Sequence, residues 1–369
     1  MSVTVVVCNY NGEEHLPPCL TALRGMRGEV TETIVVDNAS TDGSRELVAR
    51  DFPEVRVLAL EENDGPSAAR NAGMRAASTP LVLALDNDVV VGEDTLERLL
   101  AAREESGAVL LEPRSVLDSE PERVHYDAGE LHYCGLIALR NFYRPISEVT
   151  AEVTAEVAAD AEGPAVVEVG CAVALCLLVD RERVLELGGY DERYFILFED
   201  NDLSYRLRAA GERIASVPGA VVRHRAGTAG ISFREGPSYP SRRVFLHARN
   251  RWLLLAKNHA AATLLLSAPG LVLYELVSFA FALGSGHPIA WLHGKLAALA
   301  QVPGLLAERR RVQRGRRVPD RELLVGGPLT VTPAVAASAA KRGLLRGTNA
   351  GLEFAWRIAR SLLPRGARS

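Results

Sequence analysis

Cysteine is scarce in this chain of 369 residues, and the five present, at positions 8, 19, 134, 171 and 176, form no C-x-x-C pair. An odd number without framework spacing argues for reduced, buried thiols in a cytosolic setting rather than a disulfide scaffold. No G-x-G-x-x-G follows the first strand-like run, where Asn9-Tyr10-Asn11-Gly12 stands instead, which argues against a nicotinamide-dependent oxidoreductase. No basic segment leads into a long apolar one at the N-terminus, which enters a strand-like run at Val3, so no signal peptide is expected. Acids are sparse in one region: residues 221–369 hold 23 Lys+Arg and 6 Asp+Glu, which out of 42 and 46 leaves 19 and 40 for the remainder, balances of +17 and −21. Such asymmetry has the C-terminal part facing something anionic. Nucleic acid is not the expected partner, because no nucleic-acid motif occurs and Trp252 is the only aromatic close to the arginines at 249–251.

What is present is an ordinary globular composition, 48% apolar and 24% charged, in a chain long enough for a large core plus an appendage. Leu81-Val-Leu-Ala-Leu85 reads as a strand buried on both faces, of the kind found in parallel sheets, and it ends in Asp86-Asn87-Asp88. Ligands of open α/β sheets bind at the carboxyl ends of strands. Two hard oxygen ligands spaced i, i+2 there suit Mg²⁺ or Mn²⁺, although Asp and Asn are also common turn residues.

The flanking chain alternates short strands and helices. Strands are expected at Ser2–Cys8, Thr33–Val36 and Val55–Leu60, with helices opening at Pro17-Pro18, over 43–50 and through Ala69–Gly73. Asp94 with Glu97 is a plausible capping arrangement for a helix carrying Leu96, Leu99 and Leu100. This spacing predicts βαβ units and a mainly parallel sheet. Residues 113–168, with a small tandem repeat at 148–162, read as an inserted loop or hairpin. Val166–Val179 is long enough for a core strand bent at Gly170, and Ile214–Val222 reads as a strand pair broken at Pro218-Gly219. Between them, Phe198-Glu199-Asp200-Asn201-Asp202-Leu203 opens a helix ended by Gly211. Three acids in four residues exceed what capping a helix needs.

With these pieces in place the chain resembles the family 2 glycosyltransferases of the GT-A fold, especially the bacterial rhamnosyltransferase-like branch acting on lipid-linked glycans. The resemblance covers roughly residues 3–260 and rests on Val6-Val-Cys-Asn-Tyr-Asn-Gly12, Ile34-Val-Val-Asp-Asn-Ala-Ser-Thr-Asp-Gly43, Ala69-Arg-Asn-Ala-Gly73, Asp86-Asn-Asp88, and Gly188-Gly-Tyr-Asp-Glu192 followed by Phe198-Glu-Asp-Asn-Asp-Leu203. It implies an α/β, Rossmann-like catalytic domain over 1–240 and a helical C-terminal region over 241–369. It places Asn9, Tyr10, Asn11 and Asp37 at the nucleoside, Arg70 at the diphosphate, Asp86 near the ribose and metal, and Asp88 on the metal. It makes Asp200, with Glu199, the catalytic acid pair, Asp200 being the base, and puts His224 near metal and diphosphate. A lone His between two arginines also fits a plain surface position. The reaction implied is inverting and Mn²⁺- or Mg²⁺-dependent, from a UDP-, dTDP- or GDP-linked sugar to a glycan acceptor, lipid-linked in this branch. Two rivals are a transferase on a soluble or protein acceptor and a catalytically silent sugar-nucleotide-binding scaffold.

The C-terminal region adds Ala260–Leu283, nearly all apolar, with Pro269-Gly270 and Glu275 inside it. Its length reaches the roughly 20 residues of a membrane-spanning helix, but those interruptions favour a broken or interfacial segment. A second apolar stretch, 290–306, leads into six arginines between Arg309 and Arg317. Apolar helices beside a polybasic cluster suit the anionic inner face of a cell membrane. The bland reading is a helical hairpin followed by a solvated basic tail. The last forty residues are expected to form one or two helices.

Overall fold

The computed structural model describes residues 1–149, 165–225, 239–331 and 338–365. The chain divides into two units. The first comprises Met1–Gly129, Arg140–Leu203 and Glu212–Ala226; the second comprises Glu130–Leu139, Ser204–Gly211 and Gly227–Ser369.

In the first unit the apolar runs become strands and their spacers helices. β1 (Val3–Asn9), α1 (Leu16–Gly25), β2 (Val30–Asp37), α2 (Ser44–Asp51), β3 (Arg56–Ala59), α3 (Pro66–Ala76) and β4 (Leu81–Asp86) follow one another in chain order. Then come β5 (Val89–Val91), α4 (Thr95–Ser106), β6 (Leu110–Leu117) and β7 (Glu120–Tyr126). The short strands β8 (Gly129–His132) and β9 (Leu136–Leu139) fall in the second unit but for Gly129, and the first resumes with β10 (Val167–Glu168), β11 (Cys176–Asp180), α5 (Arg181–Glu186), the start of α6 (Glu199–Ala209) and β12 (Ile214–His224).

The main sheet runs β10-β12-β6-β11-β4-β1-β2-β3, with β5 on β12 and β7 on β6. β1, β2, β3, β4, β6 and β12 point one way; β11 runs antiparallel between β4 and β6, and β5, β7 and β10 also oppose the majority. The sheet is therefore mixed and mainly parallel. Leu81–Leu85 is buried throughout, as its composition demands.

Four local expectations change. Val166–Val179 is not one long strand: only Val167–Glu168 and Cys176–Asp180 join the sheet, because the intervening backbone turns to bond Gly129 and the Glu112 carboxylate. Ile214–His224 is one strand, carrying its proline at a register shift between Val217 and Val221. Asp94 makes no side-chain cap and pairs with Arg98 instead. The segment after residue 113 holds the β6–β7 hairpin, while from residue 150 the tandem repeat lies outside the described residues. All five cysteines are buried, and none of them forms a disulfide.

Two glycine positions fix how α3 sits. A Cβ on Gly73 would lie 2.2 Å from Val6 Cγ1, so the helix reaches β1 only because that side chain is absent. Gly65 holds φ +87, and a Cβ there would lie 2.4 Å from the Phe195 carbonyl oxygen. Between them Asn71 donates to the Tyr190 carbonyl and accepts from the Tyr190 amide, at 2.8 and 2.9 Å. The Arg-Asn-Ala-Gly segment thus clamps the Gly-Gly-Tyr loop to α3.

In the second unit, α7 (Ser241–Asn258) packs on α10 (Pro288–Gly315). A Cβ on Gly294 would sit 2.5 Å from the Phe245 carbonyl oxygen. The apolar segment at 260–283 is two helices, α8 (Ala261–Leu266) and α9 (Ala268–Gly284), meeting at Ser267. No helix among the described residues is long and apolar enough to cross a membrane. Glu275 does not break α9: it is the counter-ion of buried Arg251 and of Lys295 Nζ, 2.9 Å away, and accepts from the Trp252 indole at 2.6 Å. Nor is the arginine cluster wholly a solvated tail. Arg309 donates to the Ala256 and His259 carbonyls at 2.6 and 2.8 Å, and Arg316 to that of Asn258 at 2.6 Å, so both cap the C-terminus of α7. The described residues of the last forty hold one helix, α11 (Ala339–Leu362), whose Trp356 stacks on Tyr133 with ring centroids 5.0 Å apart.

Overpacking predicts that Gly73→Ala lowers stability by about 1–3 kcal/mol in urea unfolding, despite a helix-propensity gain of about 1 kcal/mol. Gly25→Ala, with nothing within 4 Å of its added carbon, is expected to be neutral or stabilising. Equal effects of the two substitutions would refute the close-approach account.

Candidate active site

The sheet register assembles the site. Asn9 pairs with Asp37 across β1 and β2, and Cys8 pairs with Asp86 across β1 and β4, so three carboxyl ends open side by side. Asn9 Nδ2 donates to Asp37 Oδ1 at 2.9 Å and to Ser40 Oγ at 3.2 Å, while Asn87 Nδ2 donates to Asn9 Oδ1 at 2.7 Å. Asn11, at φ 48, accepts from the Thr41 amide at 2.8 Å, joining the loop after β1 to the loop after β2. Tyr10, in the loop after β1, is 47% exposed.

Arg70, on α3, is buried at 3% exposure. Its Nη2 donates to Asp86 Oδ1 at 2.6 Å and to the Ala174 carbonyl at 2.7 Å, and its Nη1 reaches Glu199 Oε1 at 3.4 Å. Burial opposes the guanidinium charge, but Asp86 and, less strongly, Cys8, Tyr190 and Glu199 outweigh that and hold it above its ordinary value. Its Nε has no partner among the described residues.

Asp86 is pushed up by burial, against the pull of Arg70, with Asp88 adding to the rise. Asp88 is different. Burial would raise it, but its bond to His224, and that residue's charge, hold it below the usual carboxylate range. His224 Nε2 lies 3.0 Å from Asp88 Oδ2, while Asp88 Oδ1 is buried with no partner among the described residues. Pairing of His224 with Val89, the residue after Asp88, is what brings this contact about.

No three His, Cys, Asp or Glu side chains among the described residues already form a cation cage. Asp86, Asp88 and His224 thus do not converge as a ready trio, since Asp86 is engaged by Arg70. The orphaned Asp88 oxygen beside an imidazole nevertheless fits a hard divalent cation, which commonly takes one or two protein ligands and completes its shell with substrate phosphate and water.

Glu199 and Asp200 begin α6. Glu199 is pushed up to about 8 by burial and by Asp200, with Arg70 pulling the other way. Asp200 is also raised by burial; the Asn201 amide donates to it at 2.8 Å.

Three residues escaped the sequence reading. His125 on β7 stacks on His224, centroids 5.0 Å apart, with their Nδ1 atoms at 3.3 Å. Glu112, buried in β6 and held well above its ordinary value by desolvation, accepts from the Val173 amide at 2.7 Å. Ser40 completes the Asn9–Asp37 network. An acid and an arginine at positions 112 and 114, directly after an apolar run, were the available signal for buried charge in β6.

The unfolded Glu199 carboxyl ionises near its ordinary 4.5, whereas the folded one holds its proton to about 8. The folded state therefore carries the extra proton between those values, and stability falls as pH rises through that window. Glu199→Gln is expected to raise the neutral-pH melting midpoint in EDTA and flatten this slope. An unchanged slope would contradict the burial argument.

Comparison with known proteins bears on the family of this domain and on its fold. The model of the family described as Glycosyl transferase family 2 matches residues 4–151. A Mycobacterium tuberculosis N-acetylglucosaminyl-diphospho-decaprenol L-rhamnosyltransferase is 28% identical over 275 residues, 69% of this chain and 84% of that protein. The crystal structure of GalNAc-T7 with UDP, GalNAc and Mn²⁺ superposes with a TM-score of 0.55 at 14% identity, over 86% of this chain and 59% of that one. That of S. aureus TarS 1-349 with UDP-GlcNAc gives 0.50 at 16% identity, over 98% and 91%. At these identities the two structures show the fold alone.

Proposed function

The chain is a glycosyltransferase with a family 2 domain over residues 4–151, and from that premise we propose that it transfers a sugar from a nucleoside-diphosphate donor to a hydroxyl of a lipid-linked glycan, inverting the anomeric carbon. The observation that carries this reading is Arg70 bridging Asp86, at the end of β4, and Glu199, in the acid pair opening α6. One guanidinium thereby joins the donor side of the site to its basic side. The M. tuberculosis relative, whose name specifies a diphospho-decaprenol-linked sugar, supports the acceptor class.

The Asn9–Asp37–Ser40 network offers the nucleoside fixed polar partners, and exposed Tyr10 offers it a ring. Arg70 lies where the diphosphate would sit, and its unpartnered Nε is a spare donor for phosphate oxygen. Asp88 and His224 would hold the divalent cation, which when bound supplies charge stabilisation to the departing diphosphate.

Asp200 acts as general base. Burial raises its affinity for a proton above that of an exposed Asp, which suits it to take the acceptor O–H proton as that oxygen attacks. A new carbon–oxygen bond forms on one face of the sugar while the bond to the diphosphate breaks on the other, its electron pair leaving with phosphate. Arg70 meets the negative charge that develops there. Glu199 positions Arg70.

Thermal-shift titration with UDP, dTDP and GDP, each with and without Mn²⁺, tests the donor site. One diphosphate is expected to raise the midpoint only with Mn²⁺, and Asp88→Asn to abolish that dependence. No shift for any of them would sink the reading. Asp200→Asn is expected to lower turnover roughly 10²–10⁴-fold while the nucleotide-induced shift persists. Matching loss of donor binding would place Asp200 in the donor pocket instead.

A further inference from the structure

The second unit leaves an extended apolar surface bare. On α9, Val272, Leu276 and Leu283 recur at intervals of four and seven, and Leu276 is 63% exposed. On α10 the exposed set is Ile289, Leu292, Leu296 and Leu299, at intervals of three and four. On α11, Phe354, Ile358 and Leu362 recur every four residues, while Leu352, Trp356 and Ala359 fill the buried face. Each set lies on one side of its helix, and α9 packs against both α10 and α11. Single exposed leucines need no explanation, but three neighbouring helices each carrying such a row do.

Charge says what covers it. Residues 241–369 hold 20 Lys+Arg and 5 Asp+Glu. Of those acids, Glu275 is neutralised by Arg251 and Lys295, and Asp320 by Arg316. Arg310, Arg311 and Arg314 near the end of α10, and Lys341, Arg346 and Arg357 on α11, are exposed. A second copy would bring two strongly positive surfaces together, which opposes self-association. An anionic bilayer instead offers hydrocarbon for the rows and negative headgroups for the arginines. The helices have no need to span it, in keeping with their length and polarity.

We propose that α9, α10 and α11 form an interfacial docking surface for an anionic lipid bilayer. The apolar rows seat at the boundary of headgroups and acyl chains, and the flanking basic residues bind the headgroups. This deepens the lipid-linked-acceptor reading and rests on it for the purpose of the surface.

The test is co-sedimentation of the full chain with phosphatidylcholine vesicles with or without phosphatidylglycerol. Roughly tenfold stronger partition onto the anionic vesicles is expected, weakening as salt rises. Leu276→Glu/Leu296→Glu/Ile358→Glu, all at exposed positions, is expected to lower that partition roughly tenfold with little change in melting midpoint. Arg310→Glu/Arg311→Glu/Arg314→Glu should do the same. Absence of anionic-vesicle binding, or binding indifferent to both triple variants, overturns the proposal. So does a dimer in light scattering that the apolar triple variant splits, since the rows would then face a second copy. The assay contains no nucleotide, so failed donor binding counts against the transferase reading alone.

Discussion

A guanidinium sealed inside the first unit is the interaction on which the rest of the site depends. Removing a charged group from water costs several kcal/mol even after the protein relaxes, and only well-placed counter-charges and hydrogen bonds offset it. Arg70 has them in Asp86, Glu199 and the Ala174 carbonyl. The dependence is mutual. Without Arg70, buried Asp86 and Asp200 would lose the charge that opposes their desolvation and would take up protons more readily, leaving neither an anion to balance charge nor a base. Stability and chemistry therefore pull on the same side chain, as expected where titratable groups are held far from their ordinary values.

The backbone serves that placement. β1, β2 and β4 end together because they run parallel in register, and α3 presents Arg70 to those ends because Gly73 lets it lie against Val6. Asn71, the next residue, fixes the Tyr190 loop, whose ring lies 5.6 Å from the Arg70 guanidinium. The second unit contains a comparable buried cluster, Arg251 with Glu275 and Lys295. There every charge faces another helix of the same unit, and the cluster reads as a device for holding α7, α9 and α10 together.

Much of this was legible in the chain itself. Strands that end in Asn9, Asp37 and Asp86, and a helix that begins in Glu199-Asp200, announce themselves through apolar runs stopped by polar residues. What stayed hidden depends on pairing between distant segments. His125 becomes relevant only when β7 folds back on β6, which also carries β12, so that its ring reaches His224, and Glu112 only because β6 is buried along its whole length. Val166–Val179 misled because apolar content alone does not distinguish a strand from a buried turn whose amides are taken by Glu112 and Gly129. The arginines after residue 308 looked like a charge run because capping of α7 from a helix fifty residues away leaves no local mark. Nor does periodicity reveal that α11 is apolar on two faces, one packed and one exposed.

The most direct test of the central claim is a crystal structure of the chain with a nucleoside diphosphate and Mn²⁺. The account predicts the nucleoside over Asn9 and Asp37, the diphosphate within hydrogen-bond reach of Arg70, and the metal on Asp88. A nucleotide bound away from the carboxyl ends of β1, β2 and β4, or a metal held without Asp88, would contradict it.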